Sequence, residues 1–270
     1  MTRTAISPRL AMRIFFSTSD YLAPMTDPDA NPQTGPWPSG WNVHHVRETG
    51  STNSDLLELA RSGAAHHTVI VADHQTAGRG RLDRKWEAPP GANLLVSLLF
   101  RPSASRPLHH YTHIVGLAAR AASKKVFGVL PDLKWPNDLL IDDHKVAGIL
   151  AQGGDGFVVV GIGINVGWAP DGAARLANTH SPTSGRGPLE LLRAMLDEVD
   201  VHESMSVDEL RARYESQLAT IGRRVRVELT GGDVVEGVAT RVDEDARLVV
   251  QRDDGAETAI DVGDVIHLRT

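Results

Sequence analysis

The chain has no cysteine among its 270 residues, which excludes a disulfide framework, a thiolate nucleophile and any zinc or iron–sulfur site ligated by cysteine. Positive charge is not in excess either. Lysine and arginine number 28 against 34 aspartates and glutamates, a formal net charge of −6, which argues against a protein that coats nucleic acid by bulk charge. No apolar run approaches the roughly 20 residues that a membrane-spanning helix needs. The cluster Ile14-Phe15-Phe16 is too short for a secretory signal, despite Arg3, Arg9 and Arg13 upstream. Repeats at solenoid or propeller spacing are also missing. What is present, 41% hydrophobic and 23% charged residues, is ordinary globular composition and excludes wholesale disorder. The length suits one large domain or a core with a small appendage. A cytoplasmic protein with no membrane association is expected, and a reducing interior agrees with the missing cysteine.

Residues 1–40 hold six of the fifteen prolines and show no periodicity, so they are expected to be a disordered tail. Structure is expected from Trp41. Leu56, Leu57, Leu59 and Ala60 suit one face of a short helix, with Ser51 or Thr52 as its cap and Gly63 at its end. Val69–Ala72 and Leu94–Phe100 read as buried strands, and residues 108–127 as a helix. Strands follow at Leu133–Trp135, Leu139–Ile141, Lys145–Ala151 and Val158–Val166, with a hairpin tip at Asp142-Asp143-His144. Two helical stretches, near 188–199 and 206–220, close this part. From Gly222 onward four short β-like runs, separated by Gly231-Gly232 and Asp253-Asp254-Gly255, suggest a small barrel on an α/β core.

The segment Asp73–Trp86 carries the strongest chemical signal. Gly78 and Gly80 permit close backbone approach, and from Gly78 to Trp86 the four cations Arg79, Arg81, Arg84 and Lys85 stand against one acid, Asp83. Such a loop suits a phosphate, and Trp86 could stack on a purine; a solvated basic loop with Trp86 in the core is the plainer alternative. It is not a P-loop. Lys134, in Lys134-Trp135-Pro136-Asn137-Asp138, sits in an apolar strand and must either reach water or face an anion. Lys145 opens another buried strand. Gly161-Ile162-Gly163 lacks the third glycine and the helix of a dinucleotide fingerprint. Asn165, polar among apolar neighbours, either recognises a ligand or satisfies backbone. The twelve histidines show no metal-ligand spacing, so no protein metal site is read from the pattern and the histidines are expected at the surface. A Gly-x-Ser-x-Gly elbow is also absent.

Five segments in order, Thr49–Asn53, Gln75–Arg81, Lys134–Asp138, Lys145–Ile149 and Gly163–Asn165, make the chain resemble the biotin protein ligases. The resemblance implies an α+β fold: a class II aminoacyl-tRNA synthetase-like catalytic domain over 41–221, with a mixed sheet flanked by helices, and an SH3-like β-barrel over 222–270. It implies a form without the DNA-binding module that some members carry, and no DNA binding. By the same resemblance, biotin and ATP with Mg2+ are the substrates, and the acceptor is a lysine of a biotin carboxyl carrier domain. Lys134 and Arg81 are then the catalytic candidates. Ser51, Thr52, Asn53, Gln75, Arg79, Gly80, Arg81 and Lys134 would contact biotin. Gly78, Arg79, Arg81, Arg84, Trp86, Lys145 and Asn165 would contact the nucleotide. Two alternatives stay open: a lipoate–protein ligase of the same fold, whose substrate ring asks for an apolar pocket, and a non-catalytic regulator responsive to biotin or nucleotide. The polar run Ser51-Thr52-Asn53 favours biotin.

Overall fold

A computed structural model describes residues 36–102, 106–154, 156–177, 186–229, 231–261 and 263–268. The expected tail therefore lies, as far as residue 35, outside the described residues, while Trp37 packs partly buried against the core. The chain forms β1 (Asn42–Thr49), α1 (Thr52–Arg61), β2 (Thr68–Gln75), β3 (Leu94–Phe100), α2 (His109–Phe127), β4 (Asp132–Lys134), β5 (Asp138–Ile141), β6 (His144–Gly154) and β7 (Phe157–Ile164). Helices α3 (Pro188–Glu203) and α4 (Val207–Glu215) follow, then β8 (Arg224–Leu229), β9 (Val234–Val242), β10 (Leu248–Gln251), β11 (Glu257–Ile260) and β12 (Gly263–His267). No helix among the described residues is long and apolar enough to cross a membrane.

The first seven strands make one sheet in the order β1-β2-β3-β7-β6-β5-β4. Only β1 and β2 are parallel, joined through α1 as a parallel pair requires; the other neighbours are antiparallel. All seven residues of β3 are buried, so both faces of the sheet are covered there. Leu94, Val96, Leu98 and Phe100 join the main core with α2 and α3, where the Phe100 and Tyr111 rings lie 4.7 Å apart. The alternate residues face α1, and Ser97 among them reaches within 2.7 Å of Thr52 Oγ1.

Strand β7 divides the same way. Val158, Val160, Ile162 and Ile164 enter the main core, while Gly161 and Gly163 fall on the α1 side. A Cβ on Gly161 would lie 2.1 Å from Asn53 Oδ1, and one on Gly163 would lie 2.4 Å from the Trp86 ring. The Gly-x-Gly sequence thus clears one face of a central strand for two other side chains.

The later strands form a second, antiparallel sheet in the order β11-β10-β9-β8-β12, the SH3-like domain that the resemblance implied where the turn pattern had suggested a small barrel. Its fifth strand, β12, was not anticipated, because Gly263–His267 carries no alternation long enough to register. Helix α4 stops at Glu215 rather than running to 220. Leu218 bridges to Leu133, and Ala219 N–H donates to Leu133 O at 2.8 Å, which draws the chain into the first sheet. Trp135 ties the two sheets together: its Nε1–H donates to Ala246 O at 2.9 Å.

The histidines depart from expectation. His110, His113 and His202 are buried, and His113 stacks on Tyr214 at 3.7 Å. Burial pushes His113 well below the ordinary histidine range and His110 to about 4, with their neighbours' charge adding to the effect. Neutral imidazoles pack like other aromatic rings, so their sequence polarity misleads. At the end of β2 away from Gln75, His67 lies between Trp41 and His66, with ring centroids 3.8 Å apart on each side. Its Nε2 sits 2.7 Å from Glu203 Oε2 at the end of α3. His66 completes a trio close enough for a metal. However, Arg101 N–H donates to His66 Nδ1 at 3.1 Å, which leaves the ring proton on Nε2, facing Glu203.

Burial alone would raise the Glu203 carboxyl, but His66 and His67 outweigh it and hold the group at about 2. A depressed carboxyl stabilises the fold above its ordinary value of 4.5 and loses that contribution as pH falls toward 2. Glu203→Gln is therefore expected to cost about 2–3 kcal/mol at pH 7. The deficit should shrink steadily between pH 4.5 and pH 2, as read by denaturant melts of both proteins across that range.

Candidate active site

The cleared face of β7 forms the floor of a cavity of about 660 Å³, within the usual span for ligand sites. One end is built by the start of α1. Ser51 is the N-cap residue, but neither its side chain nor that of Thr52 caps the helix. Instead Gln75, at the end of β2, supplies the acceptor: its Oε1 takes Thr52 N–H at 2.8 Å and Thr52 Oγ1–H at 3.0 Å. Asn53 turns its amide into the sheet, donating to Leu150 O at 3.1 Å and Gln152 Oε1 at 3.0 Å. Ser97 Oγ lies 2.6 Å from Asn53 Oδ1.

The other end is walled by a hairpin. Trp86 N–H donates to Gly78 O at 3.0 Å and Gly80 N–H to Arg84 O at 2.6 Å, while Arg79 bridges to Lys85. Gly78 is required by this closure, because a Cβ there would lie 2.4 Å from Trp86 O. Leu82 at the tip has φ +54° and is exposed. The Asp83 side chain lies outside the described residues. Trp86 folds back so that its ring covers Gly163 and Gly148, with Lys145 Nζ 5.7 Å from the ring centroid.

Lys134, the last residue of β4, also lines the cavity. Burial draws its ammonium below the ordinary lysine range; Asp138 opposes that and Lys145 adds to it. Asp138 already pairs with Lys145 at 2.6 Å. Arg81 Nη1 donates to Asn137 Oδ1 at 3.1 Å, and Asn137 Nδ2 donates to Ile149 O at 2.8 Å. Arg84 is ion-paired with Asp264 of β12, so the hairpin touches the second sheet. Arg79, Arg81, Lys85 and Lys134 have no carboxylate partner among the described residues. A group of cations that line one cavity without counter-ions suits a ligand carrying several negative charges.

Twelve of the sequence-derived candidates line this one cavity: Ser51, Thr52, Asn53, Gln75, Arg79, Gly80, Arg81, Arg84, Trp86, Lys134, Lys145 and Asn165. Gly78 does not line it and serves the hairpin instead. Asn165 lines it with both ends of its amide engaged: Nδ2 donates to Ala174 O at 3.0 Å, and Oδ1 accepts from Asn93 at 3.2 Å. It thus satisfies backbone, one of the two readings its sequence left open. Asn53 is similarly committed to the protein. Sequence reasoning missed Ser97, although a lone serine in Leu94–Phe100 was a signal. It also missed Asp264, which nothing in the local pattern marks.

Two family models match the chain. The biotin/lipoate A/B protein ligase family covers residues 46–168, and the biotin protein ligase C-terminal domain covers residues 220–268. A biotin–[acetyl-CoA-carboxylase] ligase of Mycobacterium tuberculosis is 39% identical over 246 residues, 86% of this chain and 91% of that protein. The bifunctional ligase/repressor BirA of Bacillus subtilis is 30% identical over 76% of this chain and 68% of its own length. Among solved structures, the biotin protein ligase from Aquifex aeolicus in complex with biotin and ATP superposes with a TM-score of 0.68 at 26% identity, covering 85% of this chain and 99% of that one. With the likeness spanning both sheets and the five motifs meeting around one cavity, this chain belongs to the biotin protein ligase family.

Proposed function

We propose that this protein is an ATP-dependent biotin–protein ligase that modifies a lysine of a biotin carboxyl carrier domain. The observation that carries the reading is the cavity itself, whose lining joins hydrogen-bonding groups at Thr52 and Gln75 to a cluster of cations, Lys134 among them, without carboxylate partners among the described residues. Hydrogen-bonding groups at that end suit the ureido ring of biotin better than the apolar dithiolane of lipoate. The relatives named as biotin ligases support the same choice.

In the first step a biotin carboxylate oxygen attacks the α-phosphorus of ATP, which enters with Mg2+ as its substrate complex. A P–O bond forms to the carboxylate, and the bond to pyrophosphate breaks. Two anions must approach one another, so the site has to neutralise charge where it builds. Lys134, on the cavity wall, would serve that task, its attraction for anions made stronger by the lower dielectric of a partly buried place. Arg79, Arg81 and the Gly80 backbone would hold carboxyl and phosphate oxygens, with Arg81 exchanging Asn137 for the ligand. Gly78 and Arg84 would shape and anchor the hairpin around the nucleotide. Trp86 offers its ring to adenine, with Lys145 beside it, and Asn165 holds the floor beneath. In the second step the acceptor lysine's amine attacks the acyl carbon and AMP leaves with the bonding pair. Enclosure by the hairpin protects the mixed anhydride from water until then. The residues over 41–221 would carry the chemistry, and those over 222–270 would complete one wall through Asp264.

Incubating the protein with biotin, Mg-ATP and a carrier domain should add one biotin to a carrier lysine, read by intact mass. Transfer of lipoate and never biotin would overturn the assignment. Lys134→Ala should lower biotin-dependent pyrophosphate release by about 10² to 10³, with a melting curve near that of the parent. Release close to normal in a folded variant would leave Lys134 with no catalytic part. Arg81→Gly should loosen the adenylate while Lys134 still promotes its formation. Losing roughly 2–3 kcal/mol of binding corresponds to an escape about 30- to 150-fold faster. Biotin should then appear on bystander proteins such as albumin; complete loss of adenylation, or labelling still confined to the carrier, would contradict the clamp.

A further inference from the structure

We infer that Thr220, which lies in the link between the two sheets and does not line the cavity, is a positioning residue for Lys134. The inference rests on the ligase reading above for the reaction that Lys134 serves, and on backbone hydrogen bonds for the role.

Strand β4 has three residues and stands last in its sheet. One edge pairs with β5, where Lys134 lies opposite Asp138. The chain from Leu218 to Thr220 covers the other edge, starting from the parallel bridge between Leu218 and Leu133. Two of its hydrogen bonds bracket Lys134. Leu133 O, in the peptide unit before the Lys134 Cα, accepts from Ala219 N–H at 2.8 Å. Trp135 N–H, in the peptide unit after it, donates to Thr220 Oγ1 at 3.1 Å. Peptide units are planar, so a bond to each of them fixes the Cα from which the ammonium extends. The first bond is made by backbone alone. The second depends on which side chain stands at position 220.

The donors and acceptors at this point balance. Trp135 N–H can only donate, so Thr220 Oγ1 accepts. Arg223 can only donate as well, and its Nη1 lies 3.1 Å from His267 Nδ1. Nδ1 is therefore the acceptor, and Nε2 carries the ring proton, 3.3 Å from Thr220 Oγ1. Burial first, then the charges of Lys134 and Arg223, hold His267 at about 4, so the ring is neutral at pH 7 and keeps that tautomer. Thr220 oxygen thus receives two donors on two lone pairs, and neither bond calls on its own proton. Thr220 is fully buried and Trp135 nearly so, which leaves no ready water to replace the oxygen. Without it the Trp135 N–H has to turn to find an acceptor. That rotation is taken up at the backbone of Lys134, because the two residues share the peptide unit.

A double-mutant cycle on the full chain, read as biotin-dependent pyrophosphate release, tests this. Thr220→Val should lower kcat about five- to tenfold by misplacing the ammonium, with the KM for ATP within about twofold of the parent. Thr220→Ser keeps the acceptor and should restore kcat to within about twofold of the parent. In the Lys134→Ala background, Thr220→Val should add less than about twofold, because its effect passes through the ammonium already removed. Denaturant melts should show the same loss of stability from Thr220→Val in both backgrounds, so a merely structural role would slow both by the same factor. If Thr220→Val does not fold, Thr220→Cys offers a weaker acceptor and should lower kcat about threefold, with the same non-additivity. Losses that multiply in the double variant, a Thr220→Val protein as fast as the parent, or a Thr220→Ser protein no faster than Thr220→Val would each overturn the role while leaving the ligase reading intact. A parent that releases no pyrophosphate with biotin and Mg-ATP would remove both.

Discussion

The cavity exists because β7 has no side chain at two successive positions on one face. At Gly161 the space is taken by the Asn53 amide and at Gly163 by the Trp86 ring, each nearer than any Cβ would tolerate. The start of α1 and the return of the hairpin are thereby both laid on the same strand, one at each end of the site. The opposite face of β7, all valine and isoleucine, packs into the main core and holds the strand flat beneath them. A single alanine at either glycine would have to displace the side chain that now occupies its place.

Charge is arranged on this floor by the same economy of contacts. Asp138 satisfies Lys145 and Asp264 satisfies Arg84, while Lys134 and Arg81 are left to neutral partners or none. A partly buried ammonium without a counter-ion is held in a state that a multiply charged ligand relieves, and its lowered proton affinity records that strain in chemical form. The pairing of Arg84 with β12 also makes the second sheet part of the site. Glu228 and Ile266 line the same cavity from that side.

Much of this was legible in the chain. Continuous apolar runs located β2, β3 and β7, and Gly63 marked a helix end, where its φ is positive. The paired aspartates Asp142 and Asp143 marked a hairpin tip, where both adopt left-handed backbone. The basic glycine loop and the lysine in an apolar strand pointed to an anion site, since isolated charge in apolar surroundings needs a reason. Less was visible where partners are distant in sequence. The buried histidines read as surface residues, because an imidazole's burial depends on whether a ring such as Tyr214 is waiting for it. Asn53 read as a ligand contact, although its amide is consumed by β6 and Ser97.

The sequence alone determined the covalent terms: which residues can donate, accept or carry charge, where glycine frees the backbone, and in what order these groups occur. Those terms are local, and periodicity and turn chemistry express them within a few residues. Tertiary structure decided which of them meet. It brought Arg84 to Asp264 across the two sheets, turned Asn53 inward, bonded Gln75 to Thr52, and set Lys134 in the same cavity wall as the basic loop. A hydrogen bond or ion pair depends on distance and direction in space, and spacing along the chain specifies neither once a strand crossing intervenes.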